Sequence, residues 1–343
     1  QGMWAASLRY HEGRFYICFV ANDTRKTYLY TSEKIDGPWK KQLIEGFYHD
    51  GSLLFDEDGR NYIVYGNDEI WITELNEDLT APKKDGLHRL LVSDHKNPEL
   101  GYEGSHIQKI NGYYYIFLVH SLRDRWMRTE ACFYSDSLEG EFTGGDVLCD
   151  DRGYCGQGVA QGGIVDTPDG KWYAMLFQDS GAVGRIPILL PVTWKDHFPA
   201  FGQNGHVPEE IEVHSTRPGY IYQPLVGSDD FCNGLLPRWQ FNHDPDPRYY
   251  HLDALQGTYT ITTREVCTEL TQAVNTLTQR MSYPSCAAEV TVDASALKEG
   301  DVAGLCALQG CYAAVGITKH HGKYEVLMPV SYTHLTLPTS DLV

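Results

Sequence analysis

Four stretches of the chain repeat one another, and that repeat constrains the fold more than any other feature of the sequence. They are Leu8–Val20 (LRYHEGRFYICFV), Leu53–Gly66 (LLFDEDGRNYIVYG), His106–Val119 (HIQKINGYYYIFLV) and Ile164–Phe177 (IVDTPDGKWYAMLF). Each is an apolar strand, a tight turn ending in glycine, and an aromatic-rich strand. The turn glycines, Gly13, Gly59, Gly112 and Gly170, stand 46, 53 and 58 residues apart. Glycine suits the positive-φ position that such hairpins demand. A period of this size predicts propeller blades of four strands each. A second unit, Thr27–Trp39 (TYLYTSEKIDGPW) and Glu130–Phe142 (EACFYSDSLEGEF), reads as the outer half of a blade. Helix-period segments are nearly absent, so the expected class is all-β. An ordinary β-meander would carry the same hairpins without closing into a ring.

The pattern changes after about Pro208. Residues 1–208 read as the propeller, 209–228 as a Pro- and Gly-containing linker, and 229–328 as short strands. Alternating runs such as Ala287–Val292 and Ala313–Thr318 suit a β-sandwich. Residues 329–343, covering VSYTHLTLPTSDLV, are similar to a translated sequencing-adapter tail and are expected to be foreign. Both domains are therefore expected to be truncated, the propeller in its first blade and the sandwich at its end. The chain opens on Gln1 with sequence that already reads as core, so a natural N-terminus upstream of it is expected.

Charge and cysteines exclude several classes. The 343 residues carry 46 acidic and 28 basic side chains, a net charge of −18, which argues against a nucleic-acid partner. A neutral polysaccharide is compatible with that charge. Aromatic residues make up 12% of the chain, enough to serve both strands and a sugar cleft. The nine cysteines are odd in number and form no CxxC pair, so neither a disulfide framework nor a zinc site is expected. Free thiols lean toward a reducing compartment. No apolar run has the length of a membrane span, and nothing in the sequence sets an oligomeric state.

Hydrolysis of a glycosidic bond needs two carboxyl groups flanking it, one to protonate the leaving oxygen and one to activate water or attack carbon. In a propeller such groups stand near the axis, at the start of the innermost strands. Two acids precede the repeated hairpins in that way. Asp50 lies in Tyr48-His49-Asp50-Gly51-Ser52, and Glu103 in Tyr102-Glu103-Gly104-Ser105-His106. Both come just before a Gly-Ser pair at an equivalent place. They would either face one axial pocket or cap turns at the surface.

Four motifs in order, Trp4-Ala5-Ala6, His49-Asp50-Gly51-Ser52, Glu103-Gly104-Ser105-His106 and Gly184-Arg185, resemble glycoside hydrolase family 43. Its members are β-xylosidases, α-L-arabinofuranosidases and arabinanases on a five-bladed propeller. Residues 229–328, with Trp239-Gln240-Phe241-Asn242-His243-Asp244-Pro245 and Asn275-Thr276-Leu277-Thr278-Gln279-Arg280, resemble the concanavalin-like sandwich of the xylosidase branch.

The resemblance implies an inverting exo-glycosidase that removes xylose or arabinose from hemicellulose. It makes Glu103 the general acid and Asp50 the auxiliary acid that orients Glu103 and modulates its proton affinity. It places the water-activating Asp upstream of Trp4, where this chain has no acid, so the chain by itself is expected to be inactive. Arg185 is expected to reach the substrate or Asp50, Trp4 to stack on a sugar or pack as a core residue, and Phe241 to reach toward the cleft. Many members carry an axial histidine, sometimes with calcium, where this chain has Gln161. An amide is a poorer ligand, so no metal and no cofactor is expected. His106 reads as a strand histidine satisfied by its neighbours. A carbohydrate-binding relative without catalysis and a propeller interaction scaffold are the rival readings.

Overall fold

The computed structural model describes residues 2–331 apart from 214, 216, 283, 284 and 310. The chain divides into two compact units, Gln1–Ser180 with Arg185–His214, and Gly181–Gly184 with Ser215–Val343. Among the described residues there is no α-helix.

The first unit holds four antiparallel four-stranded sheets, each a meander in chain order. They are β1 (Met3–His11), β2 (Arg14–Ala21), β3 (Lys26–Ser32) and β4 (Lys40–Ile44); β5 (Ser52–Phe55), β6 (Asn61–Asn67), β7 (Glu69–Leu75) and β8 (His88–Ser93); β9 (Glu103–Ile110), β10 (Tyr113–Ser121), β11 (Arg128–Ser135) and β12 (Thr143–Leu148); and β13 (Ala160–Asp166), β14 (Trp172–Asp179), β15 (Arg185–Lys195) and β16 (Phe198–Phe201). The repeated hairpins are the first two strands of each sheet. Their first strands line up side by side, β1 against β5, β5 against β9 and β9 against β13. That is the arrangement of blades around an axis, with β1, β5, β9 and β13 innermost.

The turns explain the repeat. Gly13, Gly59, Gly112 and Gly170 have φ between +78° and +84°, yet a Cβ at each would meet nothing within 4 Å. Backbone conformation, not space, selects glycine there. Glu12-Gly13 and Asn111-Gly112 are two-residue loops with φ positive at both positions, the turn whose twist matches its strands. The outer units also match. Lys34 N–H donates to Ser32 Oγ and Gly37 N–H to the Lys34 carbonyl. Ser137 and Gly140 repeat this on Ser135 and Ser137.

Core forms between successive sheets. Cys18, Leu29 and Ile44 pack on Leu53, Ile63 and Leu75. Leu54, Tyr62, Val64 and Ile72 pack on Ile107, Tyr114, Ile116 and Leu118. Tyr115, Phe117 and Cys132 pack on Ile164, Ala174, Leu176 and Leu190. Strand β10 (YYYIFLVHS) shows why a continuous apolar run is needed. Its alternate residues serve the sheet before and the sheet after, so it has no solvent face. The outward faces of the two terminal sheets are different. Leu8 and Tyr10 of the first sheet are 48% and 64% exposed, and Val165 and Met175 of the last are 53% and 49% exposed.

The second unit consists of short strands: β17 (Gln240–Phe241), β18 (Tyr250–Asp253), β19 (Thr258–Ile261), β20 (Leu277–Thr278), β21 (Val302–Gln309), β22 (Cys311–His320), β23 (Lys323–Leu327) and β24 (Val330–Ser331). The two motifs of the sandwich resemblance pair with each other, Gln240 opposite Thr278 and Phe241 opposite Leu277. Asn275 is buried and clips residue 246 by two hydrogen bonds, accepting from the Asp246 amide at 2.9 Å and donating to its carbonyl at 3.1 Å. Ala313–Thr318 lies in β22, as the alternation predicts. Residues 287–292 do not form a strand. Their side chains are exposed on both faces and no strand among the described residues pairs with them, so alternation alone does not make a ladder. Val330–Ser331, placed in the tail by sequence, pairs with Tyr312 and Ala313 of β22, and residues 332–343 lie outside the described residues.

Candidate active site

The inner strands begin in an unusual backbone. Ala5, Asp50, Gly104 and Gln161 have φ of +21°, +48°, +67° and +69°. Three of them sit where the pairing slips, between Trp4 and Ser7, Glu103 and His106, and Ala160 and Gly163. A bulge with a left-handed residue re-aims the side chains beside it, and such strain collects at functional sites. Below this level, serines tie the inner strands together. Ser7 Oγ donates to the Gly51 carbonyl at 2.8 Å, Ser52 Oγ accepts from Ile107 N–H at 3.2 Å, and Ser105 Oγ donates to the Asp50 carbonyl at 2.7 Å. The Gly-Ser pairs of the motifs are therefore seams between blades, and the residues before them are presented to the axis.

Asp50 and Glu103 come together there. Asp50 is 5% exposed; its Oδ2 accepts the Gly104 N–H at 3.0 Å, while Oδ1 is buried without a partner among the described residues. Glu103 is partly exposed, and its Oε2 accepts from Asn67 Nδ2 at 2.7 Å. His49 stands between them, Nε2 lying 3.7 Å from Asp50 Oδ2 and 3.5 Å from Glu103 Oε2. Burial pushes the Asp50 carboxyl up to about 6; the Glu103 charge adds to this, while His49, the Gly104 amide and Arg185 oppose it. The His49 imidazole is also pushed up, chiefly by its contact with Glu103, against the effect of burial. Burial of Asp50 and the contact of His49 with Glu103 thus both favour the protonated forms of these two groups. That is the equipment for donating a proton to a leaving oxygen.

Glycine is required at 104 for space as well as conformation. A Cβ there would lie 2.7 Å from Gln161 Cγ. Gln161 in turn accepts from Arg128 Nη2 at 3.4 Å through Oε1. Arg128 is 4% exposed and bonds Asp179 at 3.0 Å; Arg185, largely exposed, bonds the other oxygen of Asp179 at 3.2 Å. The two guanidiniums lie 4.5 and 4.4 Å from the Phe177 ring centre. Trp4 is 43% exposed, with its ring 5.9 Å from that of His49, so it is a surface platform beside the acids and not a core residue.

The structure thus gathers Trp4, Asp50, Glu103, Gln161 and Arg185 in the first unit. Phe241 belongs to the second unit, where its ring lies 5.5 Å from that of Tyr250. His106 is half-buried, and desolvation together with Arg9 pushes it down to about 3, so it is a neutral strand residue. Sequence reasoning gave no role to His49, Asn67, Arg128, Glu130 or Asp179. His49 and Asn67 were readable as the neighbour of Asp50 and the end of the second repeat. Arg128, Glu130 and Asp179 lie on β11 and β14, away from the inner strands on which the search for acids was centred.

Among the described residues, two groups of side chains bring their donor atoms close enough to share a cation, the exposed trio Glu299, His320 and His321 and the trio His49, Asp50 and Glu103. At Gln161 the residues do not fit a calcium ion, because a guanidinium occupies the space beside the amide oxygen.

Comparison with known proteins agrees with this geometry. The family model for glycosyl hydrolases family 43 matches residues 1–199, and that for the beta xylosidase C-terminal concanavalin A-like domain matches residues 228–339. A putative beta-xylosidase from Xylanibacter ruminicola is 28% identical over 93% of the chain and 60% of its own length. A non-reducing end alpha-L-arabinofuranosidase from Bacteroides ovatus is 24% identical over 75% of the chain and 51% of its own length. Among solved structures, a bifunctional GH43-CE protein of Bacteroides eggerthii superimposes with a TM-score of 0.83 at 40% identity, covering 96% of this chain and 43% of that one. The chain therefore spans about 60% or less of these relatives' lengths.

Proposed function

Because the chain belongs to the glycosyl hydrolases of family 43, we propose that the whole protein is an inverting exo-glycosidase that removes a terminal xylose or arabinose from hemicellulose oligosaccharides. The observation that carries this reading is the pairing of Asp50 and Glu103 across His49 at the start of two inner strands. Glu103, partly exposed and held by Asn67, is the proton donor to the leaving oxygen. Asp50, buried beneath it, orients Glu103 through the Gly104 amide and sets the local charge beside the donor. Trp4 stacks on the sugar, and Arg185 holds a hydroxyl or Asp50 itself. Phe241 keeps, by resemblance alone, the reading of a substrate-binding residue.

Inversion needs a second carboxylate on the opposite face, about 6.5–9.5 Å from the donor, to activate water. By resemblance it is an Asp upstream of Trp4. The exposed apolar faces of the first and last sheets support an upstream fifth blade, since a β-face bearing Leu8 and Tyr10 or Val165 and Met175 gains by being covered. Calcium and organic cofactors have no part in the reaction as proposed.

The test is release of nitrophenol from nitrophenyl β-D-xyloside and nitrophenyl α-L-arabinofuranoside. The 343-residue chain is expected to turn over neither, and a form extended upstream of Gln1 to turn over at least one. Clear turnover by the 343 residues alone would remove the base from the upstream segment. Inactivity of the extended form on both pentosides would overturn the substrate class.

A further inference from the structure

A second carboxyl in the first unit repeats the relation between Asp50 and Gly104. Asp50 Oδ2 accepts the N–H of Gly104, the left-handed residue that opens β9. One sheet further on, Glu130 Oε2 accepts the N–H of Gln161, the left-handed residue that opens β13, at 2.7 Å. Gln161 is not glycine, so its φ of +69° carries a conformational cost that local bonds must offset. Glu130 is fully buried, and its other oxygen has no partner among the described residues.

Gln161 is in turn what Gly104 rests against. Its Cγ, Cδ and Nε2 lie 2.7–2.9 Å from where a Cβ of Gly104 would stand, and its Oε1 meets Arg128. The contacts run without a gap from Glu130 to Gln161, to Gly104, and so to Glu103 on one side and Asp50 on the other. We propose that Glu130 is a positioning residue for the acid catalyst, holding Gln161 in the left-handed conformation that seats the Glu103-Gly104 peptide. The inference rests on the assignment of Glu103 as proton donor. Glu130 acts as a hydrogen-bond acceptor in its neutral form, since burial holds its carboxyl well above the usual range, and the Gln161 N–H and the Arg128 charge oppose this only in part.

Two variants separate this role from charge pairing and from packing. Glu130→Gln keeps a neutral acceptor of the same shape, and Glu130→Met fills the volume without one. In the full-length enzyme, Glu130→Met is expected to lower kcat on xylobiose by about tenfold or more. Its KM, and its kcat on a nitrophenyl pentoside whose leaving group needs little protonation, should stay within about threefold. Glu130→Gln is expected to remain within about threefold of wild type on both substrates. Amide hydrogen exchange in the 343-residue chain reads the contact without turnover. The Gln161 N–H should be protected in wild type and Glu130→Gln and should exchange at least tenfold faster in Glu130→Met.

An unchanged xylobiose kcat in Glu130→Met, or an equal loss on both substrates, would overturn the proposal. So would a Glu130→Gln variant as impaired as Glu130→Met, which would make Glu130 a charged partner of Arg128. An unchanged exchange rate would overturn it even in a protein that hydrolyses no pentoside. Absence of wild-type turnover with normal exchange behaviour would instead count against the assigned reaction.

Discussion

Glu103→Gln is expected to lower kcat/KM on xylobiose by about 10²–10⁴-fold, while costing far less on a pentoside with a good leaving group. The amide keeps the acceptor oxygen that Asn67 addresses at 2.7 Å, so the side chain stays in place and only the transferable proton is lost. A poor leaving group departs as an alkoxide unless it is protonated, whereas a nitrophenolate departs without help. The ratio of the two losses, measured in the upstream-extended form, therefore reads the donor role directly. Equal losses on both substrates would mean that Glu103 binds or orients and does not donate.

Asp50→Asn is expected to separate stability from activity. The Asp50 carboxyl is pushed from its ordinary 3.8 to about 6 in the folded protein. A raised carboxyl binds its proton more tightly when folded, so its contribution is fully present below about pH 4. It is lost as the pH climbs through 6. At pH 7.5 the ionised, buried Asp50 thus costs on the order of 3 kcal/mol, the favourable contact with His49 at 3.7 Å already included. Asparagine removes the charge and still accepts the Gly104 N–H. Unfolding in urea is expected to find the variant about 2 kcal/mol more stable at pH 7.5 and nearly unchanged at pH 4, with activity down by about 100-fold. A variant less stable than wild type at pH 7.5 would show that the Asp50 charge is compensated in the folded state.

The propeller was legible because its repeat has a local cause. Two strands and a positive-φ glycine recur at Gly13, Gly59, Gly112 and Gly170, and each turn forms without help from the rest of the molecule. The axial acids were legible because blade symmetry carries Asp50 and Glu103 to equivalent places. Trp4 had two readings, and only the structure shows that it is 43% exposed beside His49. The layer behind the site was not legible. Glu130, Arg128 and Asp179 act through neighbours 31 and 51 residues away in sequence, and nothing in the residues around them signals those contacts. The second unit was read less well for a related reason. Residues 287–292 alternate like a strand, but a strand also needs a partner, which a local pattern does not carry.

The central claim is that Glu103 protonates the leaving group while a separate carboxylate delivers water from the opposite face. The most direct measurement is proton NMR of the first sugar released by the upstream-extended enzyme from a nitrophenyl β-D-xyloside, recorded before mutarotation. The account predicts α-xylose as the initial product. Initial release of β-xylose would mean a covalent intermediate on an acid only about 5 Å from Glu103, and would contradict it.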